Sequence, residues 1–231
     1  MKVPQQSAPD ANPRPPSRVR VPQAERTAAM REKLIAAAIV CLHARGFTAT
    51  TLANVADTAG VSRGAITHHF PSKAELVLAV VSAVHSEDMQ WYHQHAAGLQ
   101  PAQILVQLPR MMWQVLSRPA GVAVMEILLG ARSDPDLAAR LSEIQHQVRL
   151  ESTAALRGAN LSQRADSEVL QTLITGAVRG LAMEVLITRQ FDIAEQAIER
   201  LTDVMKFFHP EATDARAPVP APPKARKKRA T

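Results

Sequence analysis

Arg63, Gly64, Ala65, Thr67 and His68 share a short segment in which none of them has a task in a core, and their types suit chemistry with duplex DNA. Arginine can donate a bidentate pair to guanine in the major groove, threonine can bond a base edge or a phosphate, and small residues let a backbone come close to the duplex. Ile66 and Phe70 are the inward anchors of the same segment, which leaves the others on its outer side. Asn54 is likewise without a core role in the preceding segment. Lys73 stands in the first turn of the following one, where a helix N-terminus and an ammonium group would meet phosphates.

Two short helices are needed to present these side chains. Thr51 is a helix N-cap candidate, because its hydroxyl oxygen can accept from an orphan backbone N–H, and Leu52, Val55, Ala56 and Ala59 then share an apolar face. Gly60 permits the positive φ that ends a helix sharply, Val61 can plug the corner, and Ser62 caps a second helix two residues later. So tight a turn makes a helix-turn-helix, in which a small residue at Ala56 lets the second helix cross closely.

Catalysis finds no comparable constellation. His85, Glu87, Asp88, His93 and His95 are the nearest approach, but His93 and His95 fall on different faces of a helix and no HExxH or His-x-x-x-His pair accompanies them. GxSxG, P-loop and GxGxxG motifs are absent. Cys41, the single cysteine, reads as a small buried hydrophobe on the apolar side of the first helix. The expectation is no enzyme, no metal and no cofactor.

The chain resembles the tetracycline-repressor (TetR) family of bacterial transcription regulators. The matching residues are Thr51, Leu52, Val55, Ala56, the run Ala59-Gly60-Val61-Ser62-Arg63-Gly64-Ala65-Ile66, His69-Phe70, and Ser72-Lys73-x-Glu75-Leu76, with the preceding helix extending the likeness over roughly residues 25 to 80. In one place the chain departs from the family: a phosphate-contacting tyrosine usually stands two residues before His69, and here that position is Thr67. The resemblance implies a DNA-contacting set of Thr51, Asn54, Ser62, Arg63, Gly64, Ala65, Thr67, His68, His69 and Lys73. It also implies a dimer formed by the last two long helices and an inducer cavity in the C-terminal domain.

The elements around the motif fit such a protein. Hydrophobic residues make up 46% of the chain but aromatics only 3%, a balance that favours helices over sheets. We expect an all-α fold of about nine helices, a three-helix head followed by a larger helical regulatory and dimerisation domain. The expected organisation is an arm at 1–22, a DNA-binding domain at 23–71, the regulatory domain at 72–209 and a tail at 210–231. Eleven of the sixteen prolines fall in the two ends, which should therefore lack fixed structure. Net charge is +5 over residues 1–80, −3 over 81–209 and +4 over 210–231, so phosphate attraction belongs to the head and the tail. Arg14, Arg18 and Arg20 of the arm and Lys224 to Arg229 of the tail could add backbone contacts.

Beyond the head, helices are expected at roughly 102–116 with a break or kink at Pro109, then at 119–131, 136–157, 165–188 and 193–208. Capping boxes are expected at Ser72/Glu75 and Asp192/Glu195. Thr172, Gly176 and Gly180 fall on one i, i+4 row flanked by Leu173, Ala177 and Leu181, and the last helix offers Ile198, Leu201 and Met205; together these are the expected dimer interface. For the ligand, the flexible thioethers and indoles of Trp91, Met111, Met112, Trp113, Met125 and Leu128 could line an apolar pocket, with Arg132, Gln145, His146 and Arg149 as polar fixtures. The expected partners are a palindromic duplex operator, a second copy of the chain and a small apolar or amphipathic ligand, with no membrane. The expected location is the bacterial cytoplasm, on the nucleoid when bound to DNA. Two alternatives stay open: a regulator of the same fold with no small-molecule pocket, and a metal-dependent helical enzyme.

Overall fold

The structure, a computed structural model, describes residues 22–157, 167–208 and 210. Apart from Pro22 and Pro210, the arm and tail expected at the two ends lie outside the described residues. Among those residues there are nine α-helices and no strand: α1 (Gln23–Ala49), α2 (Leu52–Ala59), α3 (Arg63–His69), α4 (Lys73–Ala96), α5 (Pro101–Leu116), α6 (Pro119–Gly130), α7 (Pro135–Arg157), α8 (Ser167–Thr188) and α9 (Phe191–Phe208). The all-α architecture is therefore as the sequence leads one to expect. The regular part of α1 ends at Gly46, whose φ of 76° and ψ of 175° leave the helical region. Gly60, at φ 62° and ψ 45°, closes α2 in the left-handed conformation.

Three local expectations need correction. α5 continues through Pro109 as one element, because Pro109 is buried and α5 packs against both α8 and α9, which outweighs one missing backbone bond. Ser72 does cap α4, accepting from the N–H of Glu75 at 3.2 Å, but the Glu75 carboxylate turns to Arg140 of α7 at 2.8 Å instead of returning to the cap. α9 opens at Phe191, so Asp192 lies in its first turn, where it complements the helix dipole, and does not cap it.

The head does not stand apart. Its core of Leu34, Leu42, Val55, Ile66 and Phe70 continues without interruption into Leu76 and Val80 of α4, Ile127 of α6 and Leu141 of α7. A second core joins α5, α6, α8 and α9 around Trp113, Ile174, Val178 and Met205. The seam between head and body lies where α6 runs along α1. There the Glu126 carboxylate accepts from the N–H of Phe47 at 3.1 Å, and Gly130 lies so close to the Phe47 ring that any added Cβ would overlap it. Cys41 is buried, as expected, with Sγ 3.2 Å from the Thr58 hydroxyl.

Candidate functional site

The outer face of the helix-turn-helix is built by short bonds. Thr51 accepts from the N–H of Asn54 at 3.3 Å, while the Asn54 side-chain oxygen accepts from the N–H of Thr51 at 2.8 Å, a full capping box at the start of α2. Asn54 also donates from its amide nitrogen to the Ala49 carbonyl at 2.9 Å. Ser62 starts α3 by accepting from the N–H of Ala65 at 3.2 Å. On α3 the side chains of Arg63, Thr67 and His68 are exposed and Gly64 is open, whereas Ala65 and His69 are half-buried and Ile66 and Phe70 are buried. The Thr67 hydroxyl donates back to its own helix, to the carbonyls of Arg63 and Gly64, each at 3.1 Å.

Two of the expected contact residues are thereby placed differently. Asn54 has both side-chain polar atoms engaged within the head, so its bonds set the turn. Lys73 lies inward: its Nζ donates to the Phe47 carbonyl at 2.5 Å and stands 3.9 Å from the centre of the Phe47 ring, and burial pushes its pKa down. A residue that sequence reasoning missed is Arg31 of α1. It donates to the carbonyl of His69 at 3.0 Å and covers the Phe70 ring at 4.4 Å, fixing the C-terminal end of α3. It is 38 residues from His69, and no local signal in the sequence marks that pairing.

Inside the body, a cavity of about 380 Å³ opens between α4, α5, α6, α7 and α8. Val84, Met89, Met112, Val115 and Val124 form an apolar side, while Gln145 and Arg149 of α7 and Thr175 and Arg179 of α8 form a polar one. His85 and Asp88 of α4 complete the wall. Each has a partner, His85 in Glu151 at 3.0 Å and Asp88 in Arg118. Burial pushes the Asp88 carboxyl up to about 6, against the pull of Arg118.

Of the expected ligand residues only Met112 lines this cavity, together with Gln145 and Arg149 of the polar set. Trp91 and Met111 pack with Val115 in a small separate cluster, Trp113 and Met125 belong to the second core, and Leu128 packs on the first. Arg132 and His146 are exposed and away from the cavity. Side-chain type marked these residues as pocket-like, but the helix faces that meet the core were decided by neighbours far along the chain. The cavity residues that sequence reasoning missed include Arg179, Thr175 and Met89, none of which stands in a recognisable motif. Among the described residues no group of His, Cys, Asp or Glu is arranged to hold a metal ion, and no helix is long and apolar enough to cross a membrane.

The expected dimer residues divide by face. Leu173, Gly176, Ala177 and Gly180 of α8 are exposed, and a Cβ added at either glycine would meet nothing within 4 Å. Val169, Met183 and Ile187 of α8 and Ile193 and Val204 of α9 are exposed beside them, with Leu173 at 65% and Ile187 at 83%. Ile198 and Met205, in contrast, are buried in the second core of the same chain, and Leu181 and Leu201 pack at its edge. That corrects Ile198 and Met205: the apolar stripe of α9 is wide because one side serves the chain's own core.

A short capped α3 presenting a small and basic outer face, mounted on α1 and α2 and joined to a helical body with a cavity, is the design of a helix-turn-helix transcription regulator. Residues 34–80 match the bacterial regulatory proteins, tetR family. The HTH-type transcriptional regulator CymR of Pseudomonas putida is 32% identical over 174 residues, covering 71% of this chain and 83% of that protein. Among solved structures, Salmonella enterica GusR superposes with a TM-score of 0.62 at 19% identity, covering 79% of this chain and 96% of that one. A transcriptional regulator from Saccharomonospora viridis, solved in complex with choline, superposes with a TM-score of 0.62 at 18% identity, covering 76% and 96%. The chain belongs to the tetR family of bacterial transcriptional regulators, which bind DNA and are not enzymes.

Proposed function

We propose that the chain is a homodimeric cytoplasmic repressor that leaves a palindromic operator when a small molecule fills the cavity. One observation carries this reading: the cavity is walled by the two helices that hold the head. α4 lines it at Val84, His85 and Asp88 and begins directly after α3, while α6 lines it at Gly121 and Val124 and grips α1 through Glu126 and Gly130. A ligand that displaces either helix changes where α3 sits, and packed helices move as units.

Arg63 reads a base, and Thr67, His68 and the capped N-terminus of α3 meet the backbone of the duplex. The α8/α9 face receives the same face of a second copy, so that two heads reach successive major grooves about 34–36 Å apart. The test begins with duplexes selected from a random pool, followed by gel shifts on paired and single half-sites and sedimentation of the free protein. A dimer that prefers paired half-sites is expected. A monomer that binds single half-sites equally well would overturn the dimeric reading.

A further inference from the structure

We propose that the cavity selects amphipathic anions: a carboxylate, or a comparable small monoanion, on an apolar body, with Arg149 and Arg179 receiving the charged end. This deepens the preceding reading and rests on the cavity being the effector site.

The distribution of charge around the cavity carries the inference. Its two acidic neighbours are already committed, Asp88 to Arg118 and Glu151 to His85. Arg149 and Arg179 line the same wall, and neither has an ion pair or a side-chain hydrogen bond among the described residues. Arg179 is half-buried, its guanidinium held below its ordinary pKa by burial and further by the neighbouring charge of Arg149. The guanidinium of half-buried Arg179 and that of exposed Arg149 repel one another and leave this side of the cavity short of negative charge. A carboxylate there relieves the repulsion and accepts paired N–H bonds, the geometry in which arginine binds best.

Gln145 and Thr175 flank the arginines one helical turn away on α7 and α8, adding polar groups to that side, while the polar residues of α4, His85, Asp88 and Tyr92, complete the wall. The opposite side, Met89, Met112, Val115 and Val124, offers only apolar surface. At about 380 Å³ the space suits a compact ligand, not an extended one. A cationic ligand finds no free carboxylate there, since the acid on the wall is paired.

The experiment uses the full chain and three probes that share one apolar body and differ in charge: 4-phenylbutyrate, 4-phenylbutanamide and 4-phenylbutylammonium, followed by calorimetry and by thermal shift at neutral pH. The carboxylate should bind at least about tenfold more tightly than the amide, and the ammonium most weakly. Arg179→Gln should bring the carboxylate down to the affinity of the amide, and Arg149→Gln should do so in part. Arg132→Gln, which changes an exposed arginine away from the cavity, should leave the preference intact. Equal or tighter binding of the amide or the ammonium overturns anion selection while the effector-cavity reading stands. A preference that survives both cavity variants overturns it too, because the anion then sits elsewhere. Failure of all three probes to bind overturns anion selection as well, while the effector-cavity reading is judged separately, by whether any small molecule releases the operator.

Discussion

Between Thr51 and Glu75 the chain is fastened by bonds that reach three residues along it, at Thr51/Asn54, Ser62/Ala65 and Ser72/Glu75. From α4 onward local bonds such as Asp134/Leu137 continue, but carboxylates and bases also join distant residues: His85 to Glu151, 66 apart, and Arg110 to Glu199, 89 apart. The helix starts of the head are thus specified by neighbours, although Arg31 and Lys73 also fasten it across 38 and 26 residues, while the body depends more on partners that meet only after it has folded. Caps of this kind contribute about 1 kcal/mol each, enough to set where helices begin but not which way they face. Facing in the body depends on packing, and packing is sensitive to single atoms.

Two glycines sharpen this comparison because they lie in opposite surroundings. At Gly121 an added Cβ would overlap the backbone of Val115 and Leu116, which cannot move aside, so Gly121→Val should destabilise the chain by about 3 kcal/mol or more. Thermal or urea unfolding checks it, and an unchanged midpoint would mean that the α5–α6 corner is looser than the structure has it. At Gly180 the same added atom meets nothing. Gly180→Leu should therefore leave the monomer's stability nearly unchanged and weaken self-association by about 1–3 kcal/mol through overpacking between copies. Sedimentation at several concentrations separates the two effects. A variant that dimerises like the parent removes the α8 row from the interface.

The head offers the next contrast, between side chains that hold it and side chains left free. The Arg63 side chain is exposed and has no hydrogen bond or ion pair among the described residues, so Arg63→Ala should not alter the folding of the head. Operator binding should weaken by about 1–3 kcal/mol, with relaxed preference at one base position, if the arginine reads guanine bidentately. Equal losses on operator and on random duplex would instead assign it to phosphate.

How much of this was legible follows the same division. Helix starts and stops in the head stood in the sequence because Thr51, Gly60 and Ser62 act on their own neighbours. In the body the existence and extent of helices were equally plain, since periodicity and prolines are local as well. What stayed hidden was facing. Trp91 and Met111 look like pocket residues by type, yet their contacts are with Val115, while Met112, one position on, reaches the cavity. The stripe of α9 was visible, but its division into a side for the chain's own core, with Ile198 and Met205, and an outer side, with Ile193 and Val204, needs α5 and α8 in place. Asn54 shows the same limit on a smaller scale: its type suits DNA, and only the geometry reveals that its amide is already occupied by Thr51 and Ala49.

Lys73 gives the smallest effect and the finest test, because the two regions claim it for different tasks. By sequence it stands in the first turn of a helix beside the DNA face, where a phosphate contact is the natural expectation. In the structure its ammonium is held by the Phe47 carbonyl and ring, at the seam where Glu126 and Gly130 of α6 also meet Phe47. Lys73→Ala should accordingly lower stability by about 1 kcal/mol, the sum of a partly exposed charged hydrogen bond and a cation–π contact, and leave the salt dependence of DNA binding unchanged. A phosphate role predicts the reverse, with stability intact and the salt slope lower by about one contact. Lys73→Arg refines the answer. Arginine retains the charge for a phosphate, but its planar group does not fit a site shaped for one ammonium against a carbonyl and a ring, so a seam role predicts that stability stays low with the salt slope unchanged, whereas a phosphate role predicts a restored salt slope.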